Sequence, residues 1–372
     1  MGHHWWLVVV GLVWAGGLRA ADAPADYAQV NRLKAQVEQL TAAGKAAEAI
    51  VVCEAFLKAH PNEPPYSGAV VEVARGVWGK FFTQRDARLT LCRRILAAYE
   101  GIPAYYAAAA GQVAVDLLWA PDFAQRRPDE VDKLLATAIE KVGAKLPADS
   151  GALFALYTSR LAALTQLKQP AAGLALAREA ALRTPRILSA ERYWGSVYSL
   201  VKLQNDADAL LGAAKLGYVL CDFAAKDLKA AVEQASAALT GKGGPGPGLA
   251  FGRAQDDLRV ANPLRDPAIK LPDLGERDKL LAAAGKDPEA LLNVHLLGGE
   301  VAPALKLVKQ QMLASAGGDQ KKLATALRNL ARCFKAHDWS LARANRFLEY
   351  HRTGEGKDPL PELEAELAAA KP

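Results

Sequence analysis

Hydrophobic positions along this chain recur mostly at helical spacing. Apolar residues stand three and four positions apart, with Ala and Leu in excess and few alternating runs, which favours helix over strand. Prolines fall at the ends or in the first turns of these segments, where a missing backbone N–H is harmless. The pattern therefore predicts an all-α protein with short turns. The predicted helices cover 25–43, 46–59, 64–82, 85–100, 103–119, 128–143, 149–167, 171–183, 187–203, 206–217, 221–239, 276–284, 287–297, 300–316, 319–336 and 339–352.

One interruption of this pattern is longer than a turn. The stretch "GKGGPGPGLAFG", Gly241 to Gly252, and the Pro-spaced segment after it lack helical periodicity. It does not fit a phosphate-binding loop, because Lys242 is followed by Gly243 and a helix, not a strand, precedes it. We therefore predict a linker at this point. The predicted parts are a signal peptide at 1–20, a helical repeat array at 21–239, the linker at 240–274, helical hairpins at 275–353 and a charged tail or capping helix at 354–372.

The N-terminal stretch predicts export. An apolar core from Trp5 to Leu18 is followed by small residues, as in a secretory signal peptide, and is too short for a membrane span. We expect cleavage near Ala20; an uncleaved anchor is the alternative, and would be the chain's only membrane contact. The predicted location is periplasmic or extracellular, in a bacterial cell.

One stretch of the array has the form of a repeat unit. "AAGKAAEAIVVCEAFLKAHP", Ala42 to Pro61, has Gly44 at a turn and Pro61 at its end. Similar units run from Phe154 to Pro185 and from Ala190 to Gly217, and a last pair follows the linker. Because one hairpin cannot bury its apolar face alone, recurrence of this kind predicts stacked helix pairs.

These units resemble the tetratricopeptide repeat. In the first unit Ala49 stands at the family's close helix crossing, and Phe56 replaces its small residue in the second helix. In the second unit Gly173 stands at the crossing and Ala180 is the small residue. The apolar stripe of the first unit is formed by Leu33, Val37 and Leu40. The resemblance implies an α-solenoid wound into a right-handed superhelix, which binds a peptide or protein on its concave face.

The resemblance also implies which residues line that concave face. They are the first-helix residues off the apolar stripe: Asn31, Lys34 and Glu38 in the first unit, Trp194, Tyr198 and Lys202 in the third, and Arg328, Arg332 and Lys335 in the last. The last three share one stripe of a helix and predict a basic groove for a carboxylate or an acidic segment. The alternatives are an ordinary solvated face for the cations and core packing for the two aromatics.

Neither the net charge nor the sequence motifs indicate nucleic-acid binding, a metal site or catalysis. The net charge of +6 is spread along the chain, which argues against nucleic acid as a partner. The His residues beyond the signal segment have no partner at metal-ligand spacing, and no nucleophile motif occurs with its companions. We therefore predict a scaffold without cofactor, metal or catalysis. The cysteines Cys53, Cys92, Cys221 and Cys333 are predicted to be core side chains, with a Cys53–Cys92 disulfide as the alternative.

A different class of function stays open at this point. An all-α enzyme or glycan-binding protein of the cell envelope would gather aromatic and acidic side chains in one pocket, whereas a scaffold would present an open groove. The aromatic candidates for such a pocket are Trp78, Tyr105, Tyr106 and Trp119. A purely structural subunit would instead show a contiguous apolar outer patch.

Overall fold

The computed structural model describes residues 27–59, 85–98, 103–221, 272–338 and 341–369. These residues form helices and turns without a β-strand, so the predicted all-α class is confirmed for the described part of the chain. The signal peptide at 1–20, the predicted helix at 64–82, the predicted helix at 221–239 beyond Cys221 and most of the linker lie outside the described residues, as do His60 and Trp78. None of the described helices is both long enough and apolar enough to cross a membrane.

The chain divides into two compact units, Met1–Leu167 and Lys168–Pro372. The division falls inside the predicted array at 21–239, whose boundaries stay a prediction. Helices of the first unit are α1 Tyr27–Ala42, α2 Ala46–Ala59, α3 Arg85–Ala98, α4 Pro103–Leu118, α5 Pro128–Val142 and α6 Gly151–Gln166. Those of the second are α7 Pro170–Arg183, α8 Glu191–Lys202, α9 Ala207–Cys221, α10 Arg277–Ala284, α11 Pro288–Leu297, α12 Val301–Leu307, α13 Gln320–Asp338, α14 Leu341–Thr353 and α15 Leu360–Ala369.

In the first unit each described helix packs against the next along the chain, and α4 also packs against α6. Helix α4 is the centre of this unit, because nearly all of its described side chains are buried or half-buried, Ala110, Ala114 and Leu118 completely. Gly111 of α4 faces Ala155 of α6, where an added Cβ would lie 3.9 Å from the Ala155 Cβ. Small side chains thus allow α4 to approach its neighbours closely.

The second unit joins helices from both sides of the predicted linker. Helix α7 packs against α10, and α9 packs against both α11 and α13. A 3₁₀ turn at Pro185–Ser189 packs against α11 and is held by two side chains from other elements. Trp194 Nε1 donates to the carbonyl of Leu188 at 2.7 Å, and Asn293 Nδ2 donates to the carbonyl of Pro185 at 3.1 Å.

Helix bounds follow the sequence pattern with three differences, all in the second unit. The predicted helix at 187–203 is instead the 3₁₀ turn followed by α8, because the backbone of Ala190 is extended at φ −91°, ψ 120°. The predicted helix at 300–316 divides into α12 and a π-helical segment at Val308–Leu313. Helix α9 continues past Gly217 to Cys221, because the apolar residues after Gly217 stay buried on helical backbone.

Candidate functional site

The concave candidates of the first unit lie on the exposed side of α1. Asn31, Lys34 and Glu38 are all exposed, while Leu33 and Val37 of the same helix are buried. Their spacing puts the three polar residues on neighbouring turns of the helix. They are accessible to a partner, and partner binding by them stays a prediction.

The aromatic candidates on α8 lie in the core. Trp194 is 0% exposed and Tyr198 is 8% exposed, whereas Lys202 is exposed at the helix end. The Trp194 ring packs edge-on against Tyr193, with centroids 5.5 Å apart, and its indole N–H donates a hydrogen bond to the Leu188 carbonyl. The expectation of an exposed aromatic anchor is therefore not met, because both rings are used for packing inside the unit.

The three cations of α13 do not form one exposed stripe. Arg328 is exposed, but Arg332 is 7% and Lys335 is 5% exposed. The reason is that α13 packs against α9, α12 and α14, so that it is buried on more than one side along its C-terminal half. The predicted basic groove is thus not present as an open surface on this helix.

Arg332 is enclosed in a network of uncharged acceptors. Its Nη2 donates to Asn293 Oδ1 at 2.5 Å, its Nη1 to Asn329 Oδ1 at 3.1 Å and its Nε to the Val219 carbonyl at 3.4 Å. Burial lowers the pKa of the Arg332 guanidinium, and the charge of Glu289 opposes this. The contacts connect α13 to α9 and α11 and give this arginine a structural role.

Two lysines of this unit, Lys335 and Lys215, are buried as well. Lys335 Nζ lies 4.8 Å from the ring centroid of Tyr218, and burial lowers its pKa to about 8. Lys215 of α9 is 4% exposed. Sequence reasoning missed Lys215, although a lone cation in the apolar run "LLGAAKLGYVL" was a signal for it.

An open groove runs along the outer face of α14. It has a volume of about 540 Å³ and is lined by Ala342, Asn345, Arg346, Leu348, Glu349 and Arg352. Arg352 is bound to Glu349 in a bidentate pair, in which Nε donates to Oε2 at 3.0 Å, and this hydrogen bonding lowers the pKa of Glu349. Arg346 is exposed and has no hydrogen bond or salt bridge to any residue that the structure describes. We call this surface the α14 groove.

Sequence reasoning did not find the α14 groove. The signal was available, since Asn345, Glu349 and Arg352 recur at spacings of four and three on a helix whose buried side carries Ala344 and Phe347. The tetratricopeptide register instead predicts the binding face on the preceding helix, α13.

His295 is paired with a carboxylate that also binds an arginine. His295 Nδ1 lies 2.7 Å from Glu300 Oε2, and Arg277 Nη2 lies 2.7 Å from the same carboxylate. Together the two partners lower the pKa of Glu300, the Arg277 hydrogen bond most strongly. These contacts link α10, the C-terminal turn of α11 and the residue before α12. The described residues include no group of three or more His, Cys, Asp or Glu side chains suited to hold a metal ion.

The aromatic residues proposed for an enclosed pocket are in different environments. Tyr106 is buried, with Lys141 Nζ 5.9 Å from its ring centroid, whereas Trp119 is 59% exposed. The side chain of Tyr105 lies outside the described part of the structure, as does Trp78. The Tyr106 ring is thus packed inside the unit, whereas the Trp119 ring faces solvent.

Comparison with known proteins gives no family assignment. No protein-family model matches the chain, and no curated protein sequence matches it.

Proposed function

We propose that the chain is an exported, non-catalytic scaffold that binds a protein or peptide partner outside the cytoplasm. In this proposal its helix pairs are degenerate tetratricopeptide-like hairpins stacked as a solenoid. The observation that carries the proposal is the α14 groove, an open surface lined by guanidinium, amide and aliphatic groups on one rigid helix. Such a surface suits an extended or helical segment rather than a small substrate.

The charge of the α14 groove indicates the kind of partner. The Arg346 guanidinium makes no hydrogen bond or salt bridge to a described side chain, although its charge also interacts with Glu362. Arg352 is held in place by Glu349. A planar guanidinium binds a carboxylate through two parallel hydrogen bonds, so an acidic segment is the best match. Leu348 and Ala342 add apolar contact area beside these charges.

The exposed residues of α1 give a second accessible polar face. Asn31, Lys34 and Glu38 carry mixed charge, which fits a polar rim of an interface better than an anchor. In the proposal they contribute specificity rather than most of the affinity.

Affinity capture from the exported fraction of the native cells tests this function. The full chain serves as bait, and the Arg346→Glu variant is compared with wild type. Because a reversed charge repels an acidic segment, we expect recovery of the specific partner to fall about tenfold or more. Added salt should weaken wild-type capture in the same direction.

Arg192→Glu provides the matched control, since it reverses an exposed arginine on a different helix of the same unit, α8. We expect this variant to recover the partner as wild type does. Equal recovery by wild type and Arg346→Glu would remove the α14 groove from the proposal, and a chain found only in the cytosolic fraction would remove export. Arg332 is unsuitable for such a test, because reversing a buried charge would disturb the fold.

A further inference from the structure

The last helix of the chain is acidic and lies on a basic surface. Helix α15, with the sequence "LPELEAELAA", carries three glutamates and no basic residue. Glu364 pairs with Lys309 of the π-helical segment, and Glu366 pairs with Arg343 of α14 and His337 of α13. We call Lys309, His337 and Arg343 the α15 dock.

The contact with Arg343 is the most specific of these. Arg343 Nη1 donates to Glu366 Oε2 at 2.8 Å, and Nη2 donates to Oε1 at 3.1 Å. His337 Nε2 lies 3.0 Å from Oε2 of the same carboxylate. The Arg343 hydrogen bond is the main cause of the lowered pKa of Glu366. The Arg343 guanidinium also lies over the Phe334 ring, 5.4 Å from its centroid, and this cation–π contact helps to hold it in position.

Apolar contact at the α15 dock is small. Leu363 is completely buried, while the other described residues of the helix are exposed or half-buried. Backbone packing of α15 against the other described helices is sparse compared with that between α13 and α14. The helix is therefore held by one leucine and a few charge pairs. Such contacts are weak individually and depend on salt.

We propose that the α15 dock is a binding surface for an acidic amphipathic helix of a partner, and that α15 occupies it in cis. The sequence of α15 indicates the chemistry of such a partner helix. In α15 Leu363 is followed by Glu364 and Glu366, and the helix has no basic residue. Because α15 is tethered, its effective concentration is high, and a partner helix must compete with it. The charge of Glu362 in α15 interacts with Lys357 first and also with Arg343 and Arg346, so this surface adjoins the α14 groove. It consists of other residues and goes beyond the proposed function.

A labelled peptide with the sequence of residues 359–372 tests the proposal on the full chain. The double variant Glu364→Lys, Glu366→Lys places like charges opposite the α15 dock and should release α15. Fluorescence anisotropy should then show peptide binding to the double variant that is at least about tenfold tighter than to wild type, in which the tethered helix competes. Circular dichroism establishes that the variant is folded.

Two controls define the specificity. Glu355 is exposed in the segment before α15, and its side chain makes no hydrogen bond or salt bridge to any described residue, so Glu355→Lys should leave α15 docked and peptide binding as weak as in wild type. A peptide with Glu364→Gln and Glu366→Gln should not bind the double variant. Hydrogen exchange on wild type gives an independent measure, and amides of 361–369 should exchange much faster than those of α13 and α14.

Three results would overturn the proposal. One is a folded double variant that does not bind the peptide; another is exchange in α15 as slow as in α13. The third is a wild-type dimer in light scattering that exchanges α15 between copies, since the occupant would then be a second copy. None of these measurements depends on partner capture, so failure of the proposed scaffold function and failure of this inference are distinguishable.

Discussion

Arg332 of α13 donates from Nη2 to Oδ1 of Asn293 on α11 at 2.5 Å, and both side chains are buried. Asn293 in turn donates from Nδ2 to the Pro185 carbonyl at 3.1 Å. One hydrogen-bonded chain thus connects α13, α11 and the 3₁₀ turn. A buried charge whose three nitrogens each donate a hydrogen bond constrains the positions of all three elements.

Removing the Arg332 side chain should destabilise the second unit strongly. Arg332→Ala leaves the Asn293 and Asn329 amide oxygens without this donor and opens a cavity, so we expect a loss of about 2–4 kcal/mol in unfolding free energy. Arg328→Ala, on the exposed side of the same helix, should change it by only about 0.5 kcal/mol or less. Urea unfolding measures both. Similar losses for the two variants would contradict the buried network.

Lys335 should make stability rise with pH just above neutrality. Burial lowers its pKa from 10.5 to about 8, so between pH 8 and 9 the unfolded state binds more protons than the folded state. Between pH 8 and 9 the unfolding free energy of wild type should therefore rise by up to about 1 kcal/mol relative to that of Lys335→Met, since one pKa unit is worth about 1.4 kcal/mol.

The pH series should stop at 9, because Cys333 acts in the opposite direction above it. Burial raises the pKa of the Cys333 thiol from 9.0 to about 12, so the unfolded state loses a proton first and stability falls. Urea unfolding of wild type and Lys335→Met at pH 7, 8 and 9 provides the comparison. Parallel curves for the two proteins would show that Lys335 is solvated in the folded chain.

Gly173 should not tolerate a side chain. A Cβ at this position would lie 2.5 Å from Cδ2 and 2.6 Å from Cδ1 of Leu200, across the contact between α7 and α8. We expect Gly173→Ala to lower the unfolding free energy by about 1–3 kcal/mol, because the added methyl group overpacks this contact. Gly318→Ala is the control, because an added Cβ there meets no atom within 4 Å. Thermal unfolding compares the two, and an unchanged melting temperature for Gly173→Ala would mean that the helices separate easily.

Thiol accessibility should differ among the cysteines. Cys53, Cys92 and Cys333 are buried, and Cys221 is half-buried at the end of α9. A disulfide-exchange reagent such as Ellman's should therefore react first with Cys221 in the folded protein, and with all four after denaturation. Cys221→Ala should remove the fast phase. A folded chain that shows fewer than four thiols on denaturation would instead indicate the Cys53–Cys92 disulfide.

Helices could be predicted from the sequence because apolar spacing and proline positions act locally. The bounds of α2 coincide with the predicted 46–59, and those of α4 and α5 differ only by a residue at the C-terminal end. What the pattern could not supply is the 3₁₀ turn at Pro185–Ser189, which is held by side chains of α8 and α11. The π-helical segment likewise has no local sequence marker, and the structure gives no physical reason for it.

Burial of the candidate site residues was harder to predict. Of the leucines and phenylalanine on α13, Leu330 and Phe334 are buried, but Leu323 and Leu327 are only half-buried. Small residues, Ala326, Ala331, Cys333 and Ala336, complete the buried side instead, and they draw the neighbouring helices close enough to cover Arg332 and Lys335. Alanine gives a weak hydropathy signal, so the packed side of an Ala-rich helix is poorly marked in sequence.

The 3₁₀ turn also has a consequence for the order of synthesis. Its anchors come from residues made far later: Arg186 pairs with Asp287, 101 positions on, and the Pro185 carbonyl is bound by Asn293, 108 positions on. Contacts this distant along the chain form slowly, because a long loop must close first. Helices α7 to α9 therefore leave the ribosome before α10, α11 and α13, the helices that cover them in the folded unit. Apolar surface left uncovered during synthesis favours aggregation.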